Sequence, residues 1–170
     1  MRRLLALSAL LLAPLLLGLT YSDGSYYASA HRDSDDAATD WLATITTQDV
    51  YYPLTGTALT CGSVYGFTCA NSALTESSTI DAAGKYRATF AISGEMVSGS
   101  DEVHIAIGIG GTKVAGCHGT LDFATVTFRN VSSSCIITVA AGNVITLMVE
   151  NDDGVVDFNV HDASLVLSRL

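Results

Sequence analysis

From Tyr86 to Leu167 apolar residues keep returning at every second position, and this alternation limits the fold more than any other feature. Tyr86, Ala88, Phe90 and Ile92 alternate with Arg87, Thr89, Ala91 and Ser93. Val103, Ile105, Ile107 and Ile109 alternate with His104, Ala106 and Gly108, and Ala163, Leu165 and Leu167 alternate with Ser164, Val166 and Ser168. Successive side chains of a strand point to opposite faces, so each run reads as a strand with one buried face. Val126 and Phe128 suggest a further strand among Thr125, Thr127 and Arg129. Val144–Val149 is apolar on both faces except at Thr146, as in a strand covered on both sides. Turn signals fall between these runs: Ala83-Gly84, Ser98-Gly99-Ser100, Gly110-Gly111, Ser132-Ser133-Ser134, Ala141-Gly142-Asn143 and Asn151-Asp152-Asp153-Gly154. Strands spaced roughly ten residues apart with such turns indicate an antiparallel sandwich or barrel. No stretch after Trp41 has helical periodicity with caps, so residues 42–170 read as one all-β domain.

A chain of 170 residues suits one such domain with a short appendage. Its net charge is −9 and its only lysines are Lys85 and Lys113, so it lacks the basic footprint that nucleic acid requires. No nucleic-acid partner is expected. Catalytic signatures are missing as well: there is no G-x-S-x-G, H-E-x-x-H or Walker lysine. Gly108-Ile109-Gly110-Gly111-Thr112-Lys113 lacks the G-K-[ST] ending of a phosphate loop and lies between strands, so it reads as a hairpin turn. His31, His104, His118 and His161 are scattered, and His161 and Asp162, as neighbours on a strand, would point to opposite faces. A catalytic role would need His104 or His118 in a pocket with a carboxylate. Glu150, Asp152, Asp153 and Asp157 offer oxygens but not the EF-hand pattern, and read as an acidic turn without metal. No catalytic residue, cofactor or metal is assigned. Asn130-Val131-Ser132 is a glycosylation sequon, meaningful in a eukaryotic secretory host.

Cys61 and Cys69 flank a Gly-rich stretch, and Cys117 and Cys135 flank the run containing Val126 and Phe128. Four cysteines allow three pairings. The local one, Cys61 with Cys69 and Cys117 with Cys135, closes short loops beside turns and is the expectation. It would imply an oxidising compartment or a particle exposed outside the cell. Four reduced, buried cysteines are the alternative, and the spacing does not suit zinc.

The N-terminus is a separate unit. Met1-Arg2-Arg3 precedes an apolar run, Leu4–Leu19, that is shorter than the about 20 residues needed to span a bilayer and is broken by Pro14. Its leucines fall on every side of a helical wheel, among them Leu4, Leu5, Leu10, Leu11, Leu12, Leu15, Leu16 and Leu17. Residues 1–30 read either as a secretory signal with an A-x-A site at Ala28-Ser29-Ala30, or as a retained apolar arm that anchors the protein in an assembly. Residues 31–41, with Asp33, Asp35, Asp36 and Asp40, read as a solvated acidic linker.

Four elements follow in order over the C-terminal ninety or so residues, Gly84–Phe90, Ile105–Thr112, Val139–Leu147 and Ala163–Leu167, and together they resemble the jelly-roll superfamily of tumour necrosis factor and the complement globular head. Gly84-Lys85-Tyr86-Arg87-Ala88-Thr89-Phe90 resembles its Gly-x-Tyr strand, which enters the core. Ile105-Ala106-Ile107-Gly108-Ile109-Gly110-Gly111-Thr112 resembles its strand and hairpin. Val139-Ala140-Ala141-Gly142-Asn143-Val144-Ile145-Thr146-Leu147 is similar to its Leu-x-Ala-Gly-Asp-x-Val element, with Asn143 in place of Asp. Ala163-Ser164-Leu165-Val166-Leu167 resembles the closing strand. The resemblance implies a single antiparallel jelly-roll sandwich and a homotrimer of the kind found in bacteriophage head decorations, fibres and secreted ligands. Burying surplus apolar surface around a threefold axis is the physical reason to expect a trimer. Tyr21, Tyr26, Tyr27, Tyr51, Tyr52 and Tyr65 suit either an interface or the ends of the sandwich.

The expectation is therefore a non-enzymatic structural protein of a virion surface, on capsid or tail. It would be held to a major capsid or other virion protein by its arm, with a host receptor or glycan as a further partner. The alternative is a secreted or cell-surface trimeric recognition module whose leader is removed.

Overall fold

Alternating residues become strands because each can bury one side chain and solvate the next. In β7 (Gly84–Met96), Tyr86, Ala88, Phe90 and Ile92 turn inward and are almost completely buried, while Lys85, Arg87, Thr89 and Ala91 face out. The computed structural model describes residues 26–32, 41–54, 59–70, 73–76, 83–124 and 127–170. Among the described residues there is no helix, and so none long and apolar enough to cross a membrane.

The other strands are β1 (Tyr27–Arg32), β2 (Trp41–Ala43), β3 (Tyr52–Pro53), β4 (Thr60–Tyr65), β5 (Phe67–Ala70) and β6 (Ala73–Glu76). Then follow β8 (Glu102–Ile109), β9 (Thr112–Asp122), β10 (Arg129–Val139), β11 (Val144–Asn151) and β12 (Phe158–Arg169). They form two six-stranded antiparallel sheets. Sheet A runs β10-β7-β12-β1-β4, with β2 also paired to β12. Sheet B runs β5-β6-β11-β8-β9, with β3 also paired to β11. The core lies between the sheets, where Tyr86, Phe90, Leu165 and Leu167 from A meet Val103, Ile105, Ile107, Leu147 and Val149 from B. Phe67 stands edge-on to Tyr86 with ring centroids 5.4 Å apart, and Phe123 packs on Phe158 at 5.9 Å.

β11 is buried on both faces from Ile145 onward. Part of the reason is Gly108 on neighbouring β8, because a Cβ there would collide with the Met148 side chain that lies across it. The β8–β9 hairpin turns on Gly110 and Gly111, both at positive φ (59° and 79°), which fits a two-residue loop and not a phosphate cradle.

Three regions differ from the reading of the sequence. Ser132-Ser133-Ser134 is the middle of β10 and not a turn, since every residue of that strand pairs with β7. Polar side chains cost little here because Ser132 and Ser134 face solvent. Phe128 precedes β10, half exposed with its ring against His161 at 5.2 Å, and Val126 lies outside the described residues. Tyr27–Arg32, placed by the sequence across the arm and the linker, forms β1 between β12 and β4, with Ala28 and Ala30 each 1% exposed. The arm leucines, Leu4 to Leu17, and the four linker aspartates lie outside the described residues.

Candidate functional site

Register decides which polar groups meet. Glu102 and His104 are two residues apart on β8 and share its outer face, and the β8–β11 pairing sets Glu150 directly opposite His104. The imidazole is held on both sides. Its Nε2 lies 2.7 Å from Glu102 Oε1, and its Nδ1 lies 3.2 Å from Glu150 Oε1. Glu150 is only 7% exposed, an unusual position for a carboxylate.

The turn after β11 completes the cluster. Asn151 is fully buried and ties the turn together. Its amide donates to Asp101 Oδ2 (2.8 Å) and to the Val156 carbonyl (3.2 Å), and its Oδ1 accepts from the backbone N–H groups of Asp153 (3.0 Å) and Gly154 (2.9 Å). The Asp153 carboxylate accepts from the Glu102 N–H at 3.0 Å. Asp49, at a φ of 58°, approaches from the loop between β2 and β3, donating its N–H to the Asn151 carbonyl. A side-chain hydrogen bond with Asp152 raises the Asp49 carboxyl above the usual range, with smaller contributions from burial and from the charges of Asp152 and Asp153. Beside this group the Lys113 ammonium donates to the Tyr51 hydroxyl (2.9 Å) and sits 4.4 Å from the ring centre. Burial raises the Tyr51 hydroxyl, opposed by the Lys113 hydrogen bond and aided by the Glu150 charge.

Of the acidic turn read from the sequence, Glu150, Asp152 and Asp153 come together, but Asp157 accepts from the Ile45 N–H at 2.8 Å instead. The donor atoms of Glu102, His104 and Asp152 lie within 4.8 Å of one another, as do those of Asp49, Glu150 and Asp152. Both ring nitrogens of His104 face carboxylates, and we assign no metal there. His104 thus has its carboxylates, but it lines neither the groove on the outer face of sheet A nor the one between Trp41 and Val149. His118 is exposed on β9 with its ring 6.2 Å from that of His104, and His31 lies on sheet A. His161 and Asp162 go separate ways, His161 toward Glu95 (4.0 Å) and Asp162 to the Ser93 hydroxyl (2.8 Å).

The outer face of sheet A has the opposite character. Tyr65, Tyr27, Ser168, Arg87 and Ile136 form one cross-strand row. Ser29, Val166, Thr89 and Ser134 form the next, and Thr60, His31, Ser164, Ala91 and Ser132 the third. No carboxylate interrupts these rows, in a chain of net charge −9. Ile136 is 63% exposed, Val166 44%, and Tyr27 and Tyr65 43% each. Below the third row a groove of about 610 Å³ is lined by His31, Ser93, Asn130, Ser132, Asp162 and Ser164 among others.

Cys117 on β9 and Cys135 on β10 form a disulfide of 2.02 Å that joins the edge of sheet B to the edge of sheet A. Cys69 is also oxidised, while the side chain of Cys61, its expected partner, lies outside the described residues.

No protein-family model matches the sequence, and no curated protein sequence matches it. Solved structures do. The globular domain of zebrafish complement 1qA superposes with a TM-score of 0.54 at 12% identity, covering 86% of this chain and 97% of that one. Murine APRIL gives 0.52 at 9% identity, covering 85% and 99%. Eiger TNF from S. frugiperda gives 0.51 at 12% identity, covering 85% and 93%. The chain has a tumour-necrosis-factor-like jelly-roll fold. Within this jelly roll Tyr86, 0% exposed, is the core tyrosine that the Gly84-Lys85-Tyr86 motif implied.

Proposed function

We propose that the protein is a non-enzymatic recognition module that works outside the cell as a homotrimer assembled through the outer face of sheet A. The observation that carries this reading is a patch of three adjacent cross-strand rows without a carboxylate, with Ile136, Val166, Tyr27 and Tyr65 exposed on it. Solvated faces of an acidic chain usually hold carboxylates. A patch free of them can meet its own copy with less like-charge repulsion, and its tyrosines suit a boundary that is half buried and half wet. The Cys117–Cys135 disulfide supports an oxidising environment, and the jelly rolls it resembles supply the precedent for threefold assembly. Loops at the sandwich ends remain free to bind a receptor or glycan.

Sedimentation of the full chain should give three times the 17.7 kDa protomer mass. Ile136→Glu and Val166→Glu should return it to the protomer with an unchanged far-ultraviolet spectrum. A protomer at every concentration, or a trimer indifferent to both substitutions, would sink the proposal.

A capsid- or tail-surface component of a virion is the finer form of the same reading, with residues 1–30 anchoring the trimer to a capsid protein. It rests on the apolar leucines of the sequence. Mass spectrometry of the chain from its natural source separates the two: a retained Met1 or Arg2 end supports the anchor, and a processed end supports secretion.

A further inference from the structure

The loop end of sheet B contains an arrangement that the assembly of trimers does not use. We propose that His104 is a proton-operated clasp, joining β8 to the end of β11 and its following turn when the imidazole holds two protons. A ring with one proton has one N–H and one bare nitrogen. Both nitrogens of His104 face carboxylate oxygens, at 2.7 and 3.2 Å, and a carboxylate can only accept. In either neutral tautomer one contact therefore sets lone pair against lone pair. Only the imidazolium satisfies both.

The carboxylate on the Nδ1 side makes this matter. The Glu150 side chain is 9% exposed, so water is a poor substitute for a lost N–H. The surroundings are acidic. Glu102 contacts the ring from its own strand and Glu150 from β11, Asp152 of the turn is within reach of it, and further out Asp49 lies beside Glu150 and Asp152, Asp153 accepts from the Glu102 N–H and Asp122 on β9 pairs opposite Glu102. The cationic or titratable groups are His118 on β9, with its ring 6.2 Å away, and Lys113, whose ammonium is given to Tyr51. Carboxylates outnumber cations around the ring.

Loss of that proton leaves one of the two carboxylates facing a bare nitrogen, and where it is Glu150 the side-chain link from β8 to β11 is lost. The neighbouring links, Asp152 N–H to the Glu102 carbonyl (2.9 Å) and Asp49 N–H to the Asn151 carbonyl (3.1 Å), then hold the turn without the side-chain clasp. The loop end would loosen when the ring gives up its second proton and tighten when it regains it. This inference does not depend on the oligomeric state, because the cluster lies on sheet B.

Amide hydrogen exchange of the full chain, followed over residues 102–106 and 148–154 at about pH 6 and about pH 8.5, tests it once intrinsic base catalysis is removed. In the unaltered chain, protection of these segments should fall about tenfold at the higher pH, with sheet A unchanged. Glu150→Gln should abolish the change and keep the protection at both pH values, because the glutamine amide can donate to the bare nitrogen. His104→Asn should abolish the change with weak protection at both. Protection independent of pH in the unaltered chain, or the same pH response in Glu150→Gln, would overturn the clasp. If His104→Asn does not fold, Glu150→Gln decides alone.

Discussion

Asn151 shows how one side chain can fix a loop. It has no exposure, yet both ends of its amide are used, with two donated and two accepted hydrogen bonds that span residues 101 to 156. Asn151→Ala would leave two backbone N–H groups, one carbonyl and the Asp101 carboxylate short of a partner. Leaving buried groups unmet is the expensive half of hydrogen-bond energetics, and a loss of about 3 kcal/mol is expected in denaturant unfolding. Asn151→Asp should be worse, since it removes both donors and sets a carboxylate against Asp101. If the alanine variant unfolds at the same denaturant concentration as the unaltered chain, the turn is held by its backbone alone. The sequence marked Asn151-Asp152-Asp153-Gly154 as a turn through its composition, but no local signal says that the asparagine points inward. The same limit applies to His104 and Glu150. They are 46 positions apart, and only the β8–β11 register brings them together.

Whole strands were legible where alternation was strong. β7, β8, β11 and β12 each carry at least three apolar residues on one face, and each forms where the pattern placed it. β10 was hidden by its serines. It is an edge strand with an outer face in water, so hydrogen bonds to β7 fix it without help from side-chain hydrophobicity. β9 was hidden for a related reason: Ala115, Gly116 and His118 are exposed, and only Cys117 and Leu121 are buried. These two weakly patterned edges are the pair that the Cys117–Cys135 bridge ties together across the sandwich. In the chain-entropy account a bridge across an 18-residue separation contributes about 3 kcal/mol. A Cys117→Ala, Cys135→Ala double variant should lose about that much in denaturant unfolding. The double variant, and not reductant, isolates this bridge, because Cys69 is oxidised too. An unchanged midpoint would mean that β7 and β8 hold these edges unaided.

At the scale of the molecule, charge and chain order act together. The acidic groups Asp49, Glu102, Glu150, Asp152 and Asp153 collect at one end of sheet B, while three adjacent rows on the outer face of sheet A hold no carboxylate, so copies of the chain would meet there with less repulsion. β1 serves that face twice. Its inward Ala28 and Ala30 fill the core between β12 and β4, and its outward Tyr27, Ser29 and His31 supply one member of each cross-strand row. The A-x-A tripeptide at residues 28–30 is therefore part of the sandwich, and a cut after Ala30 would remove most of a strand that has partners on both sides. Comparing a chain that starts at Tyr26 with one that starts at His31 isolates this contribution. The shorter chain gives up the ladder hydrogen bonds of residues 27–30 and two buried alanines, and it should be at least about 3 kcal/mol less stable in denaturant unfolding. It should also sediment as a smaller species, because Tyr27 is gone from the row that carries Tyr65 and Ile136. Equal stability would show that β4 can close directly on β12, and a signal cleaved at Ala30 would then be compatible with the fold. A clear difference would mean that a cut after Ala30 removes part of the folded sandwich.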